Sequence, residues 1–135
     1  DQPARPRPGN RAGLAARRWR LATTEIGTRG SVAALLGEVL GERLIQATVH
    51  AGVPGVAAGR RLDLTALARA IRDAAGADVG LAVRARTRGG DMAVSIAVVD
   101  PAGEHAERRV AFLAGAMGRT RAALLAAAFL QARLR

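Results

Sequence analysis

Apolar residues follow two rhythms along this chain, and the alternation between them predicts the order of elements. Val32, Leu35, Leu36, Val39 and Leu40 recur at the spacing of one buried helix face, with Gly41 as the stop. Leu64, Leu67, Ala68, Ile71 and Ala75 repeat that spacing between Asp63, a helix-capping residue type, and Gly76. A closing helix is expected over Arg119–Leu134, packed through Ala122, Leu125, Phe129 and Ala132. Strand patterns fall between these helices, at Trp19–Thr24, Leu44–His50, Val79–Arg84, Met92–Val99 and His105–Leu113. Met92–Val99 is a nearly unbroken apolar run, as an interior strand would be. Ala51–Arg61 and Ala85–Gly90 read as loop and turn, and Asp100–Gly103 has the residue types of a type I turn. The resulting order, β-α-β-α-β-β-β-α, predicts an α/β fold: a mixed sheet with helices layered on its faces, as a single α/β/α sandwich.

Composition refines this picture at the ends and on the surface. The chain has 135 residues, enough for one domain with a core. Residues 1–18 hold three prolines and five arginines with little apolar periodicity, and read as a flexible basic arm or linker before a domain over 19–135. The net charge is +10 and every one of the 21 basic residues is arginine. Such a surface attracts nucleic acid or phosphate ligands. With one Trp, two Phe and no Tyr, platforms for stacking bases are scarce, which ranks nucleic acid behind other partners. No cysteine is present, so disulfides and thiolate chemistry are excluded. Two separated histidines and scattered carboxylates offer no metal-ligand spacing, and neither a metal nor a cofactor is expected. The sequence carries no apolar run of membrane-spanning length and no signal-like apolar segment at its start, so the default expectation is a cytoplasmic protein that does not engage membranes.

Three groups of residues could carry chemistry. A strand turning through Gly27-Thr28-Arg29-Gly30 into a helix offers backbone N–H groups to a phosphate, with Arg29 adding charge. The alternative is a turn in which Thr28 or Ser31 caps the helix. Ser31 and His50 could form a nucleophile and base, although no third member is evident. Arg84, Arg86 and Arg88 alternate along a strand end and so project the same way. They either clamp a phosphate or an acidic partner, or line a solvated hairpin whose charges protect an edge.

The segment Leu21-Ala22-Thr23-Thr24-Glu25-Ile26-Gly27-Thr28-Arg29-Gly30 resembles the opening motif of the CinA C-terminal domain family. Gly76-Ala77-Asp78-Val79-Gly80-Leu81-Ala82-Val83 resembles that family's third strand, and Val94-Ser95-Ile96-Ala97-Val98-Val99 its fourth. Members deamidate nicotinamide mononucleotide, so the resemblance implies amide hydrolysis by a serine, helped by a tyrosine, a lysine and a loop hydroxyl. Here the serine position falls on Ile26, the tyrosine position on His50 and the loop hydroxyl on Arg84, and no lysine exists in the chain. A later Gly-Asp-Arg motif falls on Gly115, Ala116 and Met117. Covalent catalysis needs its nucleophile, base and orienting group together, and no catalytic residue is assigned. Glu25, Thr28 and Gly30 do match the motif.

The expected function is that of a non-catalytic relative serving assembly, partner binding or nucleotide sensing. A homo-oligomer is expected, with a nicotinamide nucleotide or another phosphate compound as the candidate ligand. Residual amidohydrolase activity and nucleic-acid binding are the alternatives. Glu25, Thr28, Arg29, Gly30, Ser31, His50 and Arg84 are the candidate ligand-binding residues.

Overall fold

The first sheet strand, β1 (Leu21–Ile26), is buried along its whole length, and the remaining elements are arranged around it. The structure is a computed structural model that describes residues 10–53 and 61–134. In chain order the described elements are α1 (Asn10–Arg17), β1, α2 (Ser31–Leu40), a 3-10 turn at Gly41–Arg43, β2 (Leu44–His50) and α3 (Leu64–Ala75). β3 (Val79–Arg88), β4 (Asp91–Asp100), β5 (Gly103–Ala111) and α4 (Gly115–Arg133) complete them. The sheet runs β2-β1-β3-β4-β5. β2, β1 and β3 are parallel, whereas β3, β4 and β5 form an antiparallel meander. The expected mixed sheet with helices on both faces is therefore observed.

One face carries most of the core. Leu21, Leu81, Val83, Val94, Ile96 and Val98 pack there against Val32 and Leu36 of α2 and Ala122, Ala126 and Leu130 of α4. Among the described residues the opposite face is covered by α3, through Leu64, Leu67 and Ala68 on Ala82, Ala97 and Val99. The approach is close: a Cβ on Gly80 would stand 2.0 Å from the Ala68 carbonyl oxygen, so glycine is required at that position. Helix α3 has 12 residues and β3 has 10, giving lengths of about 18 Å and about 33 Å. One such helix covers only the lower half of the strand it lies on. No described residue covers the upper half of this face, and the candidate site is there.

Several boundaries differ from the sequence reading. The basic arm expected over residues 1–18 gives way, from Asn10, to α1, whose Leu14 is fully buried against α2 and α4. Residues 1–9 of that arm lie outside the described residues. Arg18 at φ 57°, with the Trp19 N–H donating to the Leu14 carbonyl at 2.9 Å, closes α1 and delays the strand to Leu21. The turn expected over Ala85–Gly90 is instead strand as far as Arg88, with only Gly89-Gly90 between β3 and β4. Alternating arginines in Arg84–Arg88 disguised a strand end as a polar loop. Helix α4 begins earlier than expected, at Gly115, and Ala132 is exposed on it rather than packed. The loop expected over Ala51–Arg61 includes residues 54–60, which lie outside the described residues.

Candidate anion-binding site

Two positively polarised regions come from the sequence, and the structure treats them differently. The first is the turn from β1 into α2. Gly27 has φ 80°, and a Cβ there would stand 2.2 Å from the Ala85 carbonyl oxygen, so the chain turns hard against β3. The free N–H groups at the start of α2 do converge, but on a carboxylate of the protein itself. Glu25 Oε1 accepts from the N–H groups of Gly30 at 3.0 Å and Val32 at 3.1 Å, and Oε2 from Ala33 at 2.8 Å. The Thr28 hydroxyl donates to Oε1 as well, and both Glu25 and Thr28 are fully buried. An internal anion thus fills the cradle expected for phosphate. The capping alternative is also corrected. Gly30 is the N-cap residue and makes no side-chain cap bond, and the Ser31 N–H donates to the Thr28 carbonyl at 3.1 Å. Glu25 replaces a local cap from a preceding strand. Arg29, at φ 53°, is exposed and holds no ion pair among the described residues.

The second region is the uncovered upper face of the sheet. Register places His50, Ile26, Arg84, Ser95 and Arg108 side by side across β2, β1, β3, β4 and β5. Partners in register share a face, and it is the face that Gly80 and Ala82 present to α3. The next row carries Arg86, Ala93 and Val110. Above α3 the β3, β4 and β5 members of these rows floor an open cavity of about 930 Å³, lined by Arg84, Arg86, Arg88, Ser95 and Arg108 and by Arg61, Asp63 and Thr65 at the start of α3. Its volume lies in the range typical of small-molecule sites.

The charges of this cavity are unbalanced. Its acidic residues are engaged elsewhere: Asp63 accepts from the Ala66 N–H at 3.0 Å as the α3 cap, and Glu107 pairs with Arg109 at 2.9 Å. None of Arg61, Arg84, Arg86, Arg88 or Arg108 is ion-paired among the described residues. Burial pushes the Arg84 guanidinium below its ordinary pKa, and the neighbouring Arg86 adds to that depression. A half-buried cation with a like charge beside it favours an anion that enters from outside. No cluster of His, Asp and Glu able to hold a metal occurs among the described residues.

The candidate residues therefore divide. Arg84 lines the cavity, with Ile26 beside it in register and His50 at the far end of the row. Glu25, Thr28, Gly30 and Ser31 belong to the closed turn instead. Ser31 and His50 share no hydrogen bond and do not form the considered pair: Ser31 opens α2 on one side of the sheet, and His50 is in the row on the other. Ala116 and Met117 lie in the first turn of α4, outside the cavity lining, with Met117 exposed. Ser95 and Arg108 were missed. Counting antiparallel pairs back from the Gly89-Gly90 turn and then across β4–β5 finds both, once β3 is extended to Arg88.

No protein-family model matches the chain, and no curated protein matches it. Solved structures do. A competence-damaged protein (CinA) superfamily protein from Enterobacter cloacae superposes with a TM-score of 0.74 at 19% identity, over 100% of this chain and 98% of that one. The competence damage-inducible protein A (ComA) of Klebsiella pneumoniae gives 0.71 at 23% identity, over 91% of each chain. The competence/damage-inducible protein CihA of Agrobacterium tumefaciens gives 0.62 at 17% identity, over 98% and 97%. The fold of this chain is the one these CinA-superfamily proteins share.

Proposed function

We propose that this chain, folded as the CinA-superfamily proteins are, is a non-catalytic receptor for a small phosphate-bearing ligand of nucleotide size, held in the arginine-lined cavity. The observation that carries the reading is the run Arg84–Ser95–Arg108 on the cavity floor, with Ile26 beside Arg84 in register. Guanidinium groups bind phosphate through several directed N–H donors and hold their charge at any ordinary pH. The same property disqualifies them as general bases. Ile26, 3% exposed, has no atom that could attack a carbonyl. Ser95 has arginine on both sides, and His50 stands three strands away, at about 14 Å from the strand spacing. Neither is placed to activate the other, since a base must reach its proton directly or through one water.

Thermal-shift titration of the full chain with nicotinamide mononucleotide, nicotinate mononucleotide and inorganic phosphate tests this reading, together with an assay for released ammonia. A concentration-dependent rise in Tm with the nucleotides, lost in Arg84→Gln, and no ammonia at high protein concentration are expected. Ammonia release would restore the amidohydrolase alternative. Binding of oligonucleotides in preference to mononucleotides, falling steeply with salt, would favour the nucleic-acid alternative.

A further inference from the structure

We propose that two copies of this chain join edge to edge through β5, antiparallel and centred on Ala106, into one continuous sheet of ten strands. Among the described residues β5 pairs only with β4, so its outer edge offers backbone N–H and C=O groups to a further strand. The strand Gly103-Glu104-His105-Ala106-Glu107-Arg108-Arg109-Val110-Ala111 is charged on both faces, and its charges are ordered.

Symmetry and side-chain alternation leave few registers. Pairing across a two-fold axis normal to the sheet must set residues of one face opposite residues of the same face. Glu104, Ala106, Arg108 and Val110 share the α3 face, because Ala106 and Glu104 are in register with Ala97 and Val99. His105, Glu107 and Arg109 share the other. With the axis at Ala106, Glu104 meets the other copy's Arg108 and His105 meets the other copy's Glu107. Each pair occurs twice, and the small Ala106 faces itself at the centre. Moving the axis one residue to Glu107 opposes the two Glu107 side chains and sets His105 against Arg109. Moving it to Arg108 sets Glu107 against Arg109 but opposes two arginines at the centre and competes with the Glu107–Arg109 pair within each strand, and moving it to His105 leaves no complementary pair. Opposite charges directly across a sheet stabilise it and like charges oppose it, so this strand selects the Ala106 register.

The apolar exposure at the strand end fits the same geometry. Val110 is 46% exposed and Phe112 78% exposed. In the Ala106 register Val110 falls opposite the other copy's Ala102, and Phe112, just past the end of β5, comes near the exposed Pro101 of that copy's β4–β5 turn. Phe112 would then rest on an apolar turn instead of in water. Glu104, held within its own copy by Arg69, would also face the incoming Arg108 and link the two copies. Both arginine cavities would open on the same face, on either side of the axis, with Arg108 lining one and meeting the neighbouring copy.

Sedimentation over a concentration series is expected to show a monomer–dimer equilibrium in the micromolar range. Ala106→Cys supplies the test of register, because the chain has no cysteine of its own. Directly opposed residues of an antiparallel pair lie about 4.5–5.5 Å apart at Cα, within the span of a disulfide. This variant should cross-link as a covalent dimer under mild oxidation. Arg108→Glu should raise the dissociation constant at least about tenfold, and the charge swap Glu104→Arg with Arg108→Glu should recover the dimer, with circular dichroism showing folded protein throughout. The proposal is overturned by a chain that stays monomeric at every concentration. It is equally overturned by a dimer that Ala106→Cys does not cross-link and Arg108→Glu does not weaken.

Discussion

The turn at the start of α2 and the cavity above α3 are both electropositive, and they differ in what answers the charge. At the turn, four donors converge on Glu25, which belongs to the same strand–turn–helix unit and is fully buried. In the cavity, five of the six lining arginines are unpaired among the described residues, and the lining carboxylates Asp63 and Glu107 are committed to a helix cap and to Arg109. A charge satisfied internally holds a fold together, because its donors lose water once, at folding, and are repaid at once. A charge left without an internal partner adds little to stability and keeps its hydrogen-bonding capacity for a ligand. The first region is held by its own carboxylate, and the second is the one that the proposed ligand would occupy, although the sequence motif draws attention to the first.

Removing the internal anion should give the largest effect. Glu25→Ala leaves the N–H groups of Gly30, Val32 and Ala33 and the Thr28 hydroxyl without their acceptor. A loss of about 3 kcal/mol or more in urea unfolding is expected from several charge-assisted bonds broken at a buried site. Formate or phosphate should restore part of that loss in this variant and none in the parent chain, because the cradle is empty only in the variant. A Glu25→Ala protein as stable as the parent would remove the structural half of the comparison.

The cavity should respond in the opposite sense. Arg84→Ala is expected to weaken phosphate-ligand binding by about tenfold to a hundredfold, the equivalent of one charged hydrogen bond. Its Tm should stay level or rise slightly, since burial and Arg86 already disfavour that charge in the unliganded fold. Arg88→Ala, at the exposed tip of β3, should weaken binding less than about fivefold, in line with a screened surface charge. Calorimetric titration of the two variants checks the ranking. Equal losses at Arg84 and Arg88 would mean a diffuse electrostatic surface in place of a defined pocket.

How far the sequence revealed these two regions follows from the range of the interactions that make them. Helix faces and strand alternation are local, so Val32–Leu40, Leu64–Ala75 and the Asp63 cap could be read directly. The Glu25 cap spans β1, a turn and the first turn of α2, so a search for a neighbouring Ser or Thr cap passed over it. Arg84 was found by alternation, but Ser95 and Arg108 join it only through strand pairing. Helix α1 was missed because proline and arginine dominate the opening residues. The burial of Leu14 depends on α2 and α4, which lie far along the chain.

The smallest expected effect separates two threonines of the same motif. Thr28 donates to Glu25, whereas the hydroxyl of Thr23, also fully buried, has no hydrogen-bond partner among the described residues. Threonine and valine have nearly the same shape, so the exchange tests the hydroxyl alone. Thr28→Val should cost about 1–2 kcal/mol, because it takes a donor from a buried carboxylate. Thr23→Val should gain up to about 1 kcal/mol, because it removes a polar atom that is buried without compensation. The difference is measurable as Tm shifts of opposite sign in parallel melts. Shifts of the same sign would mean that the Thr23 hydroxyl has found a partner such as a buried water, and that the closed turn extends one residue pair deeper into β1.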